Sequence, residues 1–194
     1  AIDYANNLYT IIVGVVVLSV ANVIFPRLSR MTANDENGSV FDTVIMTVRI
    51  LSYLIIPMTA GVMALSEPVI SIVYQRGAFT AFDVSITSRA LFFFSLGMFG
   101  YGMQTIISRA FYAEQNGRIP FIAGIVSIIV NVVLCGLLVD RMEVAGLALA
   151  SAISSTVYGL ALYVPLRKRF KDRDTNHFAG SIIKMIFCAA VMTA

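Results

Sequence analysis

The segment from Leu8 to Phe25 contains no charged side chain, and only Thr10, Ser19 and Asn22 interrupt it with polar groups. A run of this length and polarity is typical of a helix that crosses a bilayer core of about 30 Å. A buried helix of a soluble protein is the alternative for a single run. The composition excludes it, because 58% of the residues are hydrophobic and only 13% are charged, whereas soluble domains contain roughly 25% charged residues. The sequence predicts an integral membrane protein.

Apolar segments with short connections predict an all-α bundle of about six transmembrane helices, the last one truncated. The segments are Tyr4–Phe25, Val40–Leu65, Val84–Ala113, Ile119–Val139, Val144–Leu166 and Phe178 to the end. Pro26 is expected to close the first segment and Pro57 to kink the second. The stretch SEPVISIVYQRGAFTAFD is too short to span, and its spacing predicts one or two helical turns at the membrane interface. The start without methionine and the stop inside an apolar run predict that residues 1–194 form a single incomplete membrane domain.

The loop charges predict the orientation of the spans. Most basic residues follow the first, third and fifth segments, namely Arg27, Arg30, Arg118, Arg167, Lys168, Arg169, Lys171 and Arg173. The intervening loops hold only Arg76 and Arg141. Because cytoplasmic loops carry an excess of Lys and Arg, the first helix is expected to enter from outside, with Asn6 and Asn7 near the outer face. No basic patch with interleaved aromatic residues indicates a nucleic-acid partner.

Polar and small residues inside the spans have a structural and a functional interpretation. For Arg49, Arg89 and Arg109, snorkelling to the headgroups is favoured over a transport role. For Asn131, near the centre of the fourth span, an interhelical hydrogen bond worth about 1 kcal/mol is favoured over a cation or cavity ligand. Small residues predict close helix packing, or a bend in the third span. They are Gly97, Gly100 and Gly102 in the third span, and Gly146, Ala150, Ser151, Ser154, Ser155 and Gly159 in the fifth.

Enzyme motifs are missing from the sequence: it contains no HExxH, GxSxG or Walker loop. Cys135 and Cys188 lie in apolar spans and have no metal-binding spacing. We therefore expect that this chain is not an enzyme and has no cofactor and no metal.

Five stretches carry a family resemblance: YANNLY, VIFPRLS, EPVISIVYQRGAFTAFD, SRAFYAEQNGRIP and VAGLALASAIS. In order and spacing the chain resembles the MurJ (MviN) family of lipid II flippases, within the multidrug/oligosaccharidyl-lipid/polysaccharide exporter superfamily. The resemblance implies two six-helix lobes plus two further helices, of which this chain is the second lobe and the start of the next helix. It also implies movement of the lipid-linked peptidoglycan precursor to the outer leaflet by alternating access, in the bacterial cytoplasmic membrane.

The resemblance implies two sites. The helix that begins at YANNLY lines a hydrophilic cavity, so Asn6 and Asn7 are expected to contact the sugar and pyrophosphate headgroup, although Asn7 stands where the family usually has arginine. A monovalent cation bound between the fourth and fifth spans is expected at Asn131 and Ser151, but Cys135 occupies the acidic position of that motif.

The expected partners are the lipid-linked precursor, membrane lipids, and proteins of cell-wall synthesis or division. Two alternatives stay open. One is an exporter of another lipid-linked saccharide or of drugs, which the missing arginine allows. The other is a transport-inactive membrane scaffold. The arginines of the first lobe's helices discriminate between them.

The orientation is testable by labelling with an impermeant thiol reagent on intact cells. In a chain stripped of Cys135 and Cys188, a cysteine at position 77 should react and one at position 172 should not, because the loops face opposite sides. Equal labelling at the two positions contradicts the orientation.

Overall fold

The computed structural model describes residues 2–34, 37–77 and 79–169, and the regular elements of these residues are helices. In chain order they are α1 Ile2–Ala33, α2 Asn37–Ala64, α3 Ser66–Tyr74, α4 Ala81–Leu96, α5 Met98–Ala113 and α6 Arg118–Arg169. The predicted all-α fold is confirmed. The predicted sixth span, from Phe178 onward, lies outside the described residues.

α6 is a pair of antiparallel arms. Glu143 has φ 50° and ψ −125°, which is not helical, and it separates a first arm, 118–142, from a second arm, 144–169. The arms fold back on each other so closely that a Cβ on Gly146 would lie 2.6 Å from the carbonyl oxygen of Leu138. The predicted fourth and fifth spans are therefore the two arms, and their connection is tighter than a loop.

The described residues supply five segments that could cross a membrane by their length and composition. α1, residues Val40–Ala64 of α2, and α6 are long and apolar enough to cross a membrane, and α4 with α5 passes the same test as a pair of helices that bends by 43°. Since α6 turns back at Glu143, it accounts for two of the five. The predicted third span is thus a broken one, and the break falls at Gly97, which lies between α4 and α5.

Two shorter features bear on the sequence predictions. Pro26 lies inside α1, which continues to Ala33, so the prediction that the helix closes at Pro26 was wrong. Leu28, beyond the proline, is fully buried and holds the added turns against the bundle.

The short helix expected between the second and third spans is α3. A capping box of Thr80 and Asp83 then starts α4, with each residue's side chain bonded to the other's backbone N–H.

Aromatic contacts show which helix ends meet. The Tyr4 ring lies 4.9 Å from that of Tyr74 and 5.6 Å from that of Phe79, centroid to centroid, so the start of α1 meets the end of α3. The guanidinium of Arg109 lies 5.5 Å from the centre of the Phe25 ring, and Phe25 is about 30 Å along the helix from Tyr4 at 1.5 Å per residue. This arrangement agrees with alternating spans, while the side that faces outward stays a prediction.

α4 and α5 form the centre of the bundle, since each packs against α1, α2 and α6. α1 contributes a buried stripe at every fourth position: Ala5, Tyr9, Val13, Val17 and Ala21.

The first arm of α6 instead exposes large apolar side chains. Phe121, Ile128, Val132 and Leu137 are 64–69% exposed, which suits contact with lipid rather than water.

The bend between α4 and α5 lies directly on the second arm of α6. A Cβ on Gly97 would stand 2.8 Å from Cα of Ala152, and one on Gly100 would stand 2.7 Å from both Cα and N of Thr156. Both distances are to backbone, which cannot swing aside as a side chain can. The packing predicted from the small residues is confirmed, and these contacts fix where α4 and α5 meet α6.

Gly100→Ala should therefore destabilise the full-length protein, because the added methyl overpacks the α5–α6 contact at a cost of about 1–3 kcal/mol. Gly124→Ala is the matched control, since nothing lies within 4 Å of a Cβ at that helical position. Thermal unfolding in detergent should show a lower midpoint for the first variant and an unchanged or higher one for the second. Equal midpoints would mean that the two helices do not approach this closely.

Candidate polar cavity and interhelical network

A polar cavity of about 370 Å³ lies where the start of α1 meets the α4–α5 bend and the second arm of α6. We call it the Asn6 cavity. Six of its lining residues are polar: Asp3, Asn6, Tyr9, Tyr101, Ser151 and Ser155. Ile2, Phe94 and Ala152 complete the wall. The glycine contact between Gly97 and Ala152 positions this cavity, because it brings the second arm alongside the bend.

The rings of the cavity wall are held rigidly. Tyr9 is buried and stacks on Phe94 with centroids 5.5 Å apart, and Tyr101 meets it edge-on at 6.3 Å. Such offset and edge-to-face pairs are the preferred aromatic geometries. The chain thus presents an aromatic wall beside polar groups.

Several polar groups of the cavity have no partner within the part of the chain that the structure describes. The Asn6 amide and the hydroxyls of Tyr101 and Ser155 form no hydrogen bond to described residues. These groups can donate and accept. They are therefore available to water or to a polar ligand, and Asp3 adds the one negative charge of the lining.

The two predicted headgroup contacts are placed differently. Asn6 lines the cavity, as the sequence analysis expects for it. Asn7 is also exposed, but it is not part of the lining, because adjacent residues of a helix point about 100° apart. That either residue binds a headgroup stays a prediction.

Asn131 belongs to a hydrogen-bond network that joins the two arms of α6. Its Nδ2 donates to the hydroxyl of Ser154 at 3.1 Å, and the Cys135 thiol donates to its Oδ1 at 3.6 Å. Ser127 strengthens the same junction, because its hydroxyl donates to the carbonyl oxygen of Ser154 at 2.9 Å. The amide therefore makes the interhelical bond that the structural interpretation favours.

The predicted cation ligands have separate partners. The Ser151 hydroxyl donates to the carbonyl oxygen of Leu147 at 3.0 Å, and Ser151 lines the Asn6 cavity. Asn131 offers its donor nitrogen, not a free oxygen, to the opposite arm. Within the described residues no group of three or more His, Cys, Asp or Glu side chains is arranged to hold a metal. That Asn131 and Ser151 bind a monovalent cation stays a prediction.

The intramembrane arginines differ in their surroundings. Arg109 is half-buried over the Phe25 ring, a cation–π contact near a helix end that agrees with snorkelling. Arg49 is half-buried, and its Nε has no hydrogen-bond partner among the described residues. Arg89 is exposed.

Four lining residues, Asp3, Tyr9, Tyr101 and Ser155, are not among the cavity residues predicted from the sequence, and Ser154 is predicted there only as a packing residue. Two signals were present. Asp3, Asn6 and Tyr9 are three residues apart, and Ser151 and Ser155 are four apart, so each set shares one helix face. Such aligned polar positions on two spans indicate a shared polar cavity.

A polar cavity beside a broken helix, within a bundle of apolar helices, is a feature that membrane transporters use. Comparison with known proteins identifies the family. The family model described as "Lipid II flippase MurJ" matches residues 1–194. The chain belongs to this family.

Individual relatives agree with the family match. The chain is 26% identical over 190 residues to a probable lipid II flippase MurJ of Vibrio cholerae, covering 98% of this chain and 36% of the relative. It is 30% identical over 186 residues to the lipid II flippase MurJ of Thermosipho africanus, covering 96% and 38%. A solved structure titled "Lipid II flippase MurJ, inward closed conformation" matches with a TM-score of 0.82 and 27% identity, over 99% of this chain and 39% of that one. The chain thus spans less than two fifths of each relative.

The role of Asn131 is testable in the full-length protein. Asn131→Leu should cost about 1 kcal/mol or less and leave transport largely intact, because it removes one interhelical bond. A double-mutant cycle with Ser154→Ala should give a coupling of roughly 0.6 kcal/mol. Ser19→Ala is the control without coupling, since that hydroxyl bonds within its own helix. Loss of ion-dependent transport at an unchanged folded amount would instead make Asn131 a cation ligand.

Proposed function

We propose that this chain forms one lobe of a lipid II flippase, which moves the lipid-linked peptidoglycan precursor from the inner to the outer leaflet of the bacterial cytoplasmic membrane. The family match over residues 1–194 carries the proposal. The relatives described above bear the flippase name, which favours this function over the other exporters and over a scaffold. The protein is then a transporter of a lipid substrate, with membrane lipids around it.

The Asn6 cavity supports the proposal chemically. A sugar headgroup that crosses the membrane loses water, and each unpaired polar group in an apolar medium carries a desolvation cost of several kcal/mol. The Asn6 amide and the hydroxyls of Tyr101 and Ser155 have no partner among the described residues. They offer replacement hydrogen bonds to sugar hydroxyls, while the rings of Tyr9 and Phe94 offer an apolar face.

The charge of this cavity assigns it to the sugar and peptide part of the headgroup rather than to the pyrophosphate. Its one charged lining residue is Asp3, which repels phosphate. Asn7 lies beside the cavity and can donate a neutral hydrogen bond to a phosphate oxygen, but such a bond is about half as strong as one from arginine. Most compensation for the pyrophosphate charge must then come from groups outside this cavity.

Alternating access needs a place where the lobe can change shape, and the break at Gly97 is the candidate. The Gly97 N–H bonds to the carbonyl oxygen of Phe94 at 2.9 Å, so the break keeps this backbone bond. Phe94 lines the Asn6 cavity. A change of the 43° bend angle would therefore alter the cavity directly.

The asparagines are tested by depleting a cell's own flippase and scoring rescue by full-length variants. Asn6→Leu and Asn7→Leu should reach normal membrane levels but rescue less, because each removes a polar contact. Asn7→Arg should accumulate and rescue at least as well as the parent, because a charge-assisted bond replaces a neutral one.

Ser19→Leu is the control for adding an exposed leucine to α1, and it should rescue like the parent. Full rescue by Asn7→Leu together with failure of Asn7→Arg to accumulate would place Asn7 against lipid or protein. Full rescue by Asn6→Leu would remove the cavity from the transport path.

A further inference from the structure

A second and larger cavity, of about 680 Å³, lies where the first turn of α3 meets α4 and the turn of α6. We call it the Arg89 cavity. Its charged lining residues are Arg89 of α4, Arg141 beside the α6 turn and Glu67 of α3. Its volume falls within the range of about 300–1,000 Å³ that is usual for ligand pockets. None of its residues belongs to the Asn6 cavity.

The two arginines come together without an internal partner. Within the described residues, Arg89 and Arg141 form no ion pair and no hydrogen bond. They belong to different helices, so the fold, and not local sequence, brings two like charges to one cavity. Both side chains are exposed, so their guanidinium groups are accessible to an anion in the cavity.

The charge and the walls of the cavity define the ligand. Two guanidinium groups and one carboxylate give a net charge of +1, which a singly charged phosphodiester neutralises. Guanidinium groups bind phosphate oxygens with two parallel hydrogen bonds. Phe92, Phe93 and Met142 form an apolar wall beside the charges, which suits the glycerol and upper acyl carbons of a phospholipid better than a free ion.

The position of the cavity agrees with a lipid headgroup. Arg141 adjoins the Glu143 turn, where the two arms of α6 end, and α3 follows the end of the α2 span. The cavity is therefore at one end of the bundle, at the depth where arginines reach headgroups. We propose that the Arg89 cavity binds the phosphodiester of an anionic phospholipid, through Arg89 and Arg141. The predicted orientation puts this lipid in the outer leaflet.

The test uses the purified, delipidated full-length protein, with phosphatidylglycerol, phosphatidylcholine and inorganic phosphate as probes. Native mass spectrometry counts bound lipid, and thermal unfolding measures its stabilising effect. Phosphatidylglycerol should bind more tightly than phosphatidylcholine and raise the unfolding midpoint, whereas inorganic phosphate should do neither. Arg89→Gln and Arg141→Gln should each weaken phosphatidylglycerol binding about tenfold, since each removes a charge-assisted contact.

Three further variants make the result specific. Arg76→Gln removes an exposed charge from the α3–α4 connection that is not part of the cavity lining, and it should bind lipid like the parent. Glu67→Gln should bind phosphatidylglycerol more tightly, because it raises the net charge of the cavity. Arg89→Lys keeps the charge but not the planar fork, and should retain part of the affinity.

The proposal is overturned if the Arg89→Gln, Arg141→Gln double variant, with a lipid-free midpoint like that of the parent, binds phosphatidylglycerol as the parent does. It is also overturned if inorganic phosphate reproduces the stabilisation with the same arginine dependence, because the ligand is then a soluble anion. The readouts are binding and unfolding, so the outcome is independent of the flippase function proposed above.

Discussion

A bilayer core contains no water, so each backbone N–H and C=O within it must find its partner inside the protein. The chain meets this constraint with helices, and the irregular points are covered or placed at a span end. The break at Gly97 lies against the backbone of Ala152 and keeps a hydrogen bond to Phe94. The break at Glu143 falls between two arms that are each long enough to span. Glycine at position 97 is therefore required by contact, since a Cβ there would stand 2.8 Å from the neighbouring Cα.

The same constraint sorts the polar side chains into two kinds. Many hydroxyls bond to a carbonyl of their own helix: Ser52 to Val48, Thr105 to Tyr101 and Thr156 to Ala152 are examples. These groups are satisfied whichever helix lies beside them. Asn131 and Ser127 bond across the two arms and so depend on the fold. Asn6, Tyr101 and Ser155 have no partner among the described residues and share one cavity, where their donors and acceptors are open to water or to a polar ligand.

The sequence predicts the helices well and the site only in part, for a physical reason. Apolar run length determines whether a segment can span, and it correctly indicated α1, α2 and both arms of α6. Leu28 lies in the part of α1 that continues beyond Pro26. Its burial depends on neighbouring helices, which the length of an apolar run does not reveal. Asn6 and Asn7 are adjacent residues of the same type, but their side chains point about 100° apart around the helix axis. Asn6 therefore lines the cavity and Asn7 does not. Asn131 faces Ser154 rather than Ser151 because the position of the turn determines which residues of the two arms face each other. If the turn moved by one residue along the chain, each residue would face a partner two positions away.

The charges of the two cavities differ in a way that suits a transporter. The Asn6 cavity, which borders the proposed substrate path, has neutral donors and the carboxylate of Asp3, while Arg89 and Arg141 converge on a separate cavity at one end of the bundle. A substrate that must pass through has to bind well enough to enter and weakly enough to leave. Strong bidentate arginine contacts along this lobe would hold a pyrophosphate in place, so neutral hydrogen bonds favour release. A resident lipid needs no release, and paired arginines suit it. In this proposal the paired arginines and the neutral donors therefore line different cavities, and the substrate meets only the neutral donors and Asp3 in this part of the lobe.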